Sequence, residues 1–210
     1  MIAELPSGLT IPADAESKLH RFAEEEFAYY DGIVDGSPNE ITPVDVLATY
    51  GVNSQIRSAF RVRDIHRGMT DRCQTLLAAL PVNLELTDED WKPGIVENLL
   101  DEACSIRGVL TAVATKVLHR KRRALIPMLD SVVLAHYLDK RDLNRSQDKQ
   151  NAASVGMKAL RKFRTDLIDS SDVITEIRDG LGKAGYPLSR LRILEILVWI
   201  EKEPYGVYRN

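Results

Sequence analysis

The sequence predicts an all-α fold, a compact multi-helix single domain, on three observations. Apolar residues recur at alternating three- and four-residue steps, the spacing of one buried helix face. Capping Asp and Thr, early Pro and terminal Gly punctuate the chain at ordinary helix lengths. No stretch alternates apolar and polar residues with the period of two that a half-buried strand needs. The 210 residues are 44% apolar and 28% charged, enough to fill one core and too apolar for a disordered chain. There is no internal repeat and no long flexible linker, so residues 1–210 are expected to form one helical domain, with residues 1–40 a peripheral N-terminal helix and turn-rich loop.

In chain order, Asp14 is placed to cap a helix through KLHRFAEEEFAYY, which the turn-rich DGIVDGSPNE ends. Thr42-Pro43-Val44-Asp45 is a helix start with a capping Thr, Pro at the first helical position and Asp three residues after the cap. That helix stops at Gly51. Residues 53–79 read as one or two helices closed by Pro81, and Thr87-Asp88-Glu89-Asp90 opens another with acidic residues at its positive end. Leu99, Ala103, Ile106, Leu110, Val113 and Val117 then mark a buried helical face that Gly108 is placed to divide in two. DSVVLAHYL forms the next helix, residues 148–168 a basic amphipathic one, and Ser171 caps VITEIRDGL. The last, LSRLRILEILVWIE, is the most apolar and is expected at the centre of the core, with Pro204 as the stop beyond it.

Composition narrows the function classes. No apolar run approaches the roughly 18–20 residues of a membrane span, and the N-terminus lacks the basic start and apolar stretch of a signal peptide. Two cysteines, Cys73 and Cys104, cannot build a disulfide framework or a four-cysteine metal site. They read as buried free thiols in a reducing compartment, and a cytoplasmic location is expected. The net charge is −3 but unevenly distributed. Residues 1–115 carry 9 Lys/Arg against 19 Asp/Glu, residues 116–164 carry 13 against 4, and residues 165–210 carry 6 against 8. A basic middle is either an electrostatic footprint for phosphates or a segment packed near the acidic first half.

Most motif matches dissolve on inspection. Gly180, Gly182 and Gly185 spell G-x-G-x-x-G, but a helical pattern precedes them, so they read as an inter-helix loop rather than a dinucleotide site. The four histidines have no partner at i+4, and no G-x-S-x-G occurs, so zinc catalysis and a nucleophile elbow have no support. No cofactor or metal is expected.

The informative stretch is SIRGVLTAVATKVLHRKRRALIPMLDSVV, residues 105–133. Gly108 begins a helix whose terminal amides suit a phosphate. Five cations follow, Lys116, Arg120, Lys121, Arg122 and Arg123, and then Pro127 precedes Asp130, a lone carboxylate in apolar surroundings. Asp130 is either a helix cap or a functional acid, and one carboxylate can serve as both.

Residues 106–133 resemble the active-site region of helix-hairpin-helix DNA glycosylases. Gly108 and Val109 match the first two positions of that family's Gly-hydrophobic-Gly hairpin, and Asp130 falls at the distance of its essential aspartate. The resemblance implies a hairpin that grips the DNA backbone, a nucleotide flipped from the stack, and a carboxylate that stabilises the sugar cation or helps activate water. Two positions depart from the pattern. Leu110 replaces the second hairpin glycine, and Ala112 stands where lyase-active members carry a nucleophilic Lys, with Lys116 one turn further along the same face. The string TKVLHRKRRALIPMLDSVV is also similar to a segment of actinobacterial proteins with no assigned activity.

The residues support two functional readings. In the first, the chain is a DNA-binding protein related to base-excision glycosylases, at best a monofunctional hydrolase using Asp130, with Gly108, Val109, Lys116, Arg120, Lys121, Arg122 and Arg123 on the DNA backbone. In the second, it is a non-catalytic helical interaction protein that keeps only the fold and binds a protein partner. A concave pocket beside Asp130 with an aromatic wall separates them, and Tyr29, Tyr30, Asp31 and Trp199 are candidates for that wall.

Overall fold

A computed structural model of the chain describes residues 3–33, 36–54, 56 and 58–202. Among the described residues the helices are α1 Ala15–Glu26, α2 Pro43–Ala48, α3 Ala59–Ala78, α4 Pro93–Ser105, α5 Thr111–His119, α6 Ser131–Tyr137, α7 Lys140–Arg145, α8 Ala152–Asp169, α9 Ser171–Lys183 and α10 Arg190–Lys202. The all-α class is as the periodicity predicts. An antiparallel pair of two-residue strands, β1 Ala3–Glu4 and β2 Thr10–Ile11, precedes them and is too short to leave a period-two signature. Gln55, Arg57 and Pro204 lie outside the described residues.

Helix α10 is the centre of the core. From Leu191 through Val198 every residue is buried, as is Ile200, so this helix is enclosed on all sides. α6, α9, α1 and α8 pack around it, while α3 and α8 flank α4. The N-terminal helix is part of this core rather than a peripheral element, because Ala15 and Leu19 are fully buried and α1 packs on α9 and α10.

Local chemistry sets several helix starts. Ser58 accepts the Arg61 amide at the start of α3, and Asp139 accepts the Asp142 amide at the start of α7. Two expectations need correction. The helix expected from Thr87 begins at Pro93 instead, since proline lacks the amide that a helix interior requires and is suited to the first helical position. Gly180 and Gly182 lie within α9, and of the three glycines only Gly185, at φ +93°, sits in the following turn.

Candidate functional site

Asp130 sits where two local decisions meet. Gly108 adopts φ +71° between α4 and α5 and reverses the chain, a conformation that side-chain-bearing residues rarely take. The Arg61 guanidinium occupies the space a Cβ at Gly108 would need. The Val109 amide donates to the Ile106 carbonyl and its side chain is fully buried, so Val109 anchors the turn from inside. α5 then runs to His119, and the chain returns through Pro127 to Asp130, the cap of α6. One carboxylate oxygen, Oδ1, accepts the amides of Val132 at 2.9 Å and Val133 at 3.0 Å. The cap and acid readings are therefore compatible, because no donor among the described residues takes Oδ2.

Asp130 lines a cavity of about 150 Å³ between α1, the turn after α2, α5 and α10. Phe22 and Trp199 supply aromatic walls and pack edge to face, with Met128 and Ile196 adding apolar surface. Lys116, Arg192, Glu26 and Glu195 supply charge. A cavity of this size accepts a single aromatic ring. Lys116 is 5% exposed and donates through Nζ to the Val52 carbonyl. Burial holds its pKa below the usual lysine range, partly offset by the negative charge of Asp130 and Glu195. Gly51 brings the wall close, since a Cβ there would collide with the Tyr29 carbonyl oxygen.

Behind the cavity lies a buried ionic layer. Arg192 donates to both Asp31 oxygens at 3.0–3.1 Å and to Glu195 at 2.5 Å. Burial opposes the charge on Arg192, but Asp31 and Glu195 together hold its pKa above the usual value. Glu195 also accepts the Met128 amide at 3.0 Å, and burial pushes its carboxyl up to about 7. Tyr30, buried at 2% exposure, donates to the Lys116 carbonyl and stacks against His119.

The basic run after Lys116 is not the surface footprint expected of it. Arg120 and Lys121 are buried on Asp45, at 3.0 and 2.8 Å. Burial raises the Asp45 pKa, but bonds from Lys121, Thr42 and Arg120 outweigh it and hold the carboxyl below its usual value. Arg122 is fully buried and donates to the carbonyls of Leu77 and Leu80 at the C-terminal end of α3, and to Pro38 and the Asn39 side chain. Carbonyls at a helix C-terminus carry partial negative charge, so α3 itself stabilises this guanidinium. Arg123 is half-buried and donates to the Asp31 carbonyl at 2.8 Å. Assigning Arg120, Lys121 and Arg122 to the DNA backbone is corrected accordingly, since they bind the chain's own residues 30–45 and the end of α3. The start of the basic middle, Arg120 to Arg122, packs against the acidic first half with its charges buried, while Arg145, Lys158 and Arg161 further along remain at the surface.

Of the proposed wall residues, Trp199 lines the Asp130 cavity, Tyr30 and Asp31 belong to the layer behind it, and Tyr29 is exposed. Sequence reasoning missed Phe22, Arg192 and Glu195. Arg192 and Glu195 left a signal, as an ion pair at i, i+3 inside the otherwise apolar run of the central helix. Cys73 and Cys104 are both buried free thiols, and burial pushes each up to about 12. Among the described residues no group of three or more His, Cys, Asp or Glu is arranged to hold a metal, and no helix is long and apolar enough to cross a membrane.

Neither the curated proteins nor the solved structures contain a match to this chain. A family model does match, across residues 13–202, which takes in every helix among the described residues, the Asp130 cavity and the buried ionic layer; the chain belongs to the family described as "Family of unknown function (DUF6308)".

Proposed function

We propose that this chain is a DNA-binding protein related to base-excision glycosylases, in which the Asp130 cavity receives one ring extruded from the duplex. The observation that carries the reading is the division of labour in one carboxylate. Oδ1 caps α6, while Oδ2 is left for a ring-sized cavity with aromatic walls. A carboxylate so fixed would stabilise the cation that develops on the sugar as an N-glycosidic bond breaks, or accept a proton from attacking water. The reaction is hydrolysis without a covalent amine intermediate, consistent with Ala112 at the position where lyase-active helix-hairpin-helix glycosylases carry a lysine. Backbone contacts fall to Arg107 and Gly108, both exposed at the hairpin, and to Arg61, whose guanidinium lies against that glycine.

The test is fluorescence anisotropy with labelled intact, abasic-site and single-stranded DNA at low and near-physiological salt, followed by base-release assays. Binding should favour the abasic duplex and weaken steeply with salt. Asp130→Asn should abolish base release and leave binding in place. Base release by that variant would remove the mechanism, and no binding at low salt would remove the DNA reading.

A second reading is favoured by a separate observation, the burial of Arg120, Lys121 and Arg122. A chain whose densest basic run is structural fits a non-catalytic interaction protein that keeps only the fold. Under that reading Asp130 is a cap alone, and its variants change stability without any activity to lose.

A further inference from the structure

Among the described residues, Tyr29, Tyr50 and Phe60 are the Phe, Tyr or Trp side chains that stand exposed. Tyr50 and Phe60 flank the stretch that carries Gly51, Val52 and Asn53 into the wall of the Asp130 cavity, and Tyr29 packs against Gly51. We propose that this surface holds an unpaired DNA strand by base stacking, so that the preferred substrate is partly unwound DNA, a bubble or a fork, rather than fully paired duplex. The proposal rests on the DNA reading above and names the form of DNA that the site takes.

The rim of the cavity is the first anchor. A Cβ at Gly51 would collide with the Tyr29 carbonyl oxygen, so the backbone of Tyr29 is pressed onto the turn while its side chain remains exposed. Lys116 donates through Nζ to the Val52 carbonyl and fixes the same turn. Exposed rings on a fixed rim are placed to meet the neighbours of a ring that enters the cavity.

The start of α3 is the second anchor. Phe60 is 70% exposed, more than any other large apolar side chain among the described residues. The Arg63 guanidinium lies over its ring, 5.4 Å from the centroid, and Arg61 sets its own guanidinium against Gly108 of the exposed hairpin. Residues 58–68 and 105–111 together hold Arg61, Arg63, Arg67 and Arg107 against one carboxylate, Asp64, which Arg63 takes up at 3.0 Å. Among the described residues no carboxylate pairs with Arg61, Arg67 or Arg107. A single exposed ring is ordinary on a protein surface. Rings confined to one cavity rim and bordered by arginines form the combination that grips unpaired strands, with cations for phosphates and flat faces for bases.

Helix α5 spaces the two anchors. It starts at Thr111, just past the hairpin, and carries Lys116 into the cavity wall. The rise from Thr111 to Lys116 is about 8 Å, which matches two or three stacked bases at about 3.4 Å each. Paired DNA keeps its base faces within its own stack, so the arginines alone can engage it and the rings have nothing to cover until a strand opens. An anionic membrane would also meet arginines and aromatic rings, but it offers no ring to the cavity between them.

The experiment uses the full chain and two labelled abasic-site DNAs of one sequence. One is fully paired, and the other has a short mismatched stretch beside the abasic site with 2-aminopurine in it. Anisotropy reads affinity and 2-aminopurine emission reads stacking. The mismatched DNA should bind roughly 10-fold tighter, the order of one base–aromatic stack, and its emission should change on binding. Phe60→Ala, a change at an exposed position, should erase most of that preference and the emission change, while Phe60→Trp should keep both. Equal affinity for the two DNAs overturns the proposal and leaves the DNA reading standing, whereas no binding of either overturns both. A preference that survives Phe60→Ala, one lost equally in Phe60→Trp, or an unchanged emission also overturns it. So does Phe60-dependent sedimentation with phosphatidylglycerol vesicles in place of DNA binding.

Discussion

Two charge-rich regions lie side by side in this molecule and behave differently. The run from Arg120 to Arg122 has its charges bound by the protein itself, to Asp45, to loop carbonyls and to the end of α3. Asp130 and Lys116, adjacent to it, line a cavity, and Asp130 keeps one oxygen uncommitted. Density of charge along a sequence therefore says little about function. What separates a structural charge from a candidate working one is whether its bonding capacity is used up inside the fold.

That contrast breaks most visibly at Arg122. Replacing it with Met leaves the Leu80 carbonyl without a donor and strips the guanidinium bonds from Leu77, Pro38 and Asn39, and a loss of about 4–5 kcal/mol in unfolding free energy is expected by denaturant titration. A loss under ~1 kcal/mol would mean that the guanidinium is not a structural strut. Asp45→Asn comes next, because it leaves Arg120 and Lys121 buried without their carboxylate, and about 3–4 kcal/mol should be lost.

The layer between the two regions sharpens the comparison through pH. Glu195, raised from 4.5 to about 7 in the folded protein, binds protons more tightly there than when unfolded. Its contribution, roughly 3 kcal/mol, is fully present below pH 4.5 and is lost as pH rises through about 7. His119, lowered from 6.5 to about 3, works the other way, and its contribution is lost as pH falls below 6.5. The two oppose each other between pH 4.5 and 6.5. In Glu195→Gln the slope of His119, reinforced by His136, which burial also lowers, should remain, so stability should rise with pH across that window and stay level toward pH 7. A variant curve parallel to the parent's would show that Glu195 does not titrate there.

The smallest effects belong to the candidate site. Asp130→Ala removes a cap and should cost about 1 kcal/mol, whereas Asp130→Asn, a good capping residue, should cost less than ~0.5 kcal/mol. Equal, large losses from both would show that the carboxylate is structural, in the manner of Asp45. Gly108→Ala should cost about 1 kcal/mol from its positive φ, and the alanine must also displace the Arg61 side chain.

Much of the architecture is legible in the order of residues alone. The Thr42-Pro43 start, the break at Gly108, the Asp130 cap and the central apolar helix are all where sequence chemistry puts them. Each depends on residues within one or two helical turns, so periodicity and capping suffice to find it. The acidic run at 87–90 misleads because an acidic first turn is only a tendency, while Pro93 imposes a steric and hydrogen-bonding requirement. The site is half legible. Asp130 and Trp199 stand out in the sequence, but the inward course of Arg120–Arg122 does not, since a basic run has the same spelling whether it faces water or a helix end.

The sequence by itself determined the helices, their order and a lone carboxylate at a helix start, because these depend on local backbone sterics and the burial of periodic apolar faces. Only the tertiary structure decided which charges are spent. It turned three cations toward partners some 40 to 90 residues away, brought Phe22 and Trp199 around Asp130, and left His119 Nε2 without a donor. The reason is physical: a charge is sorted into strut or site by the groups that desolvate and bond it, and those arrive from distant segments that share no local pattern with it.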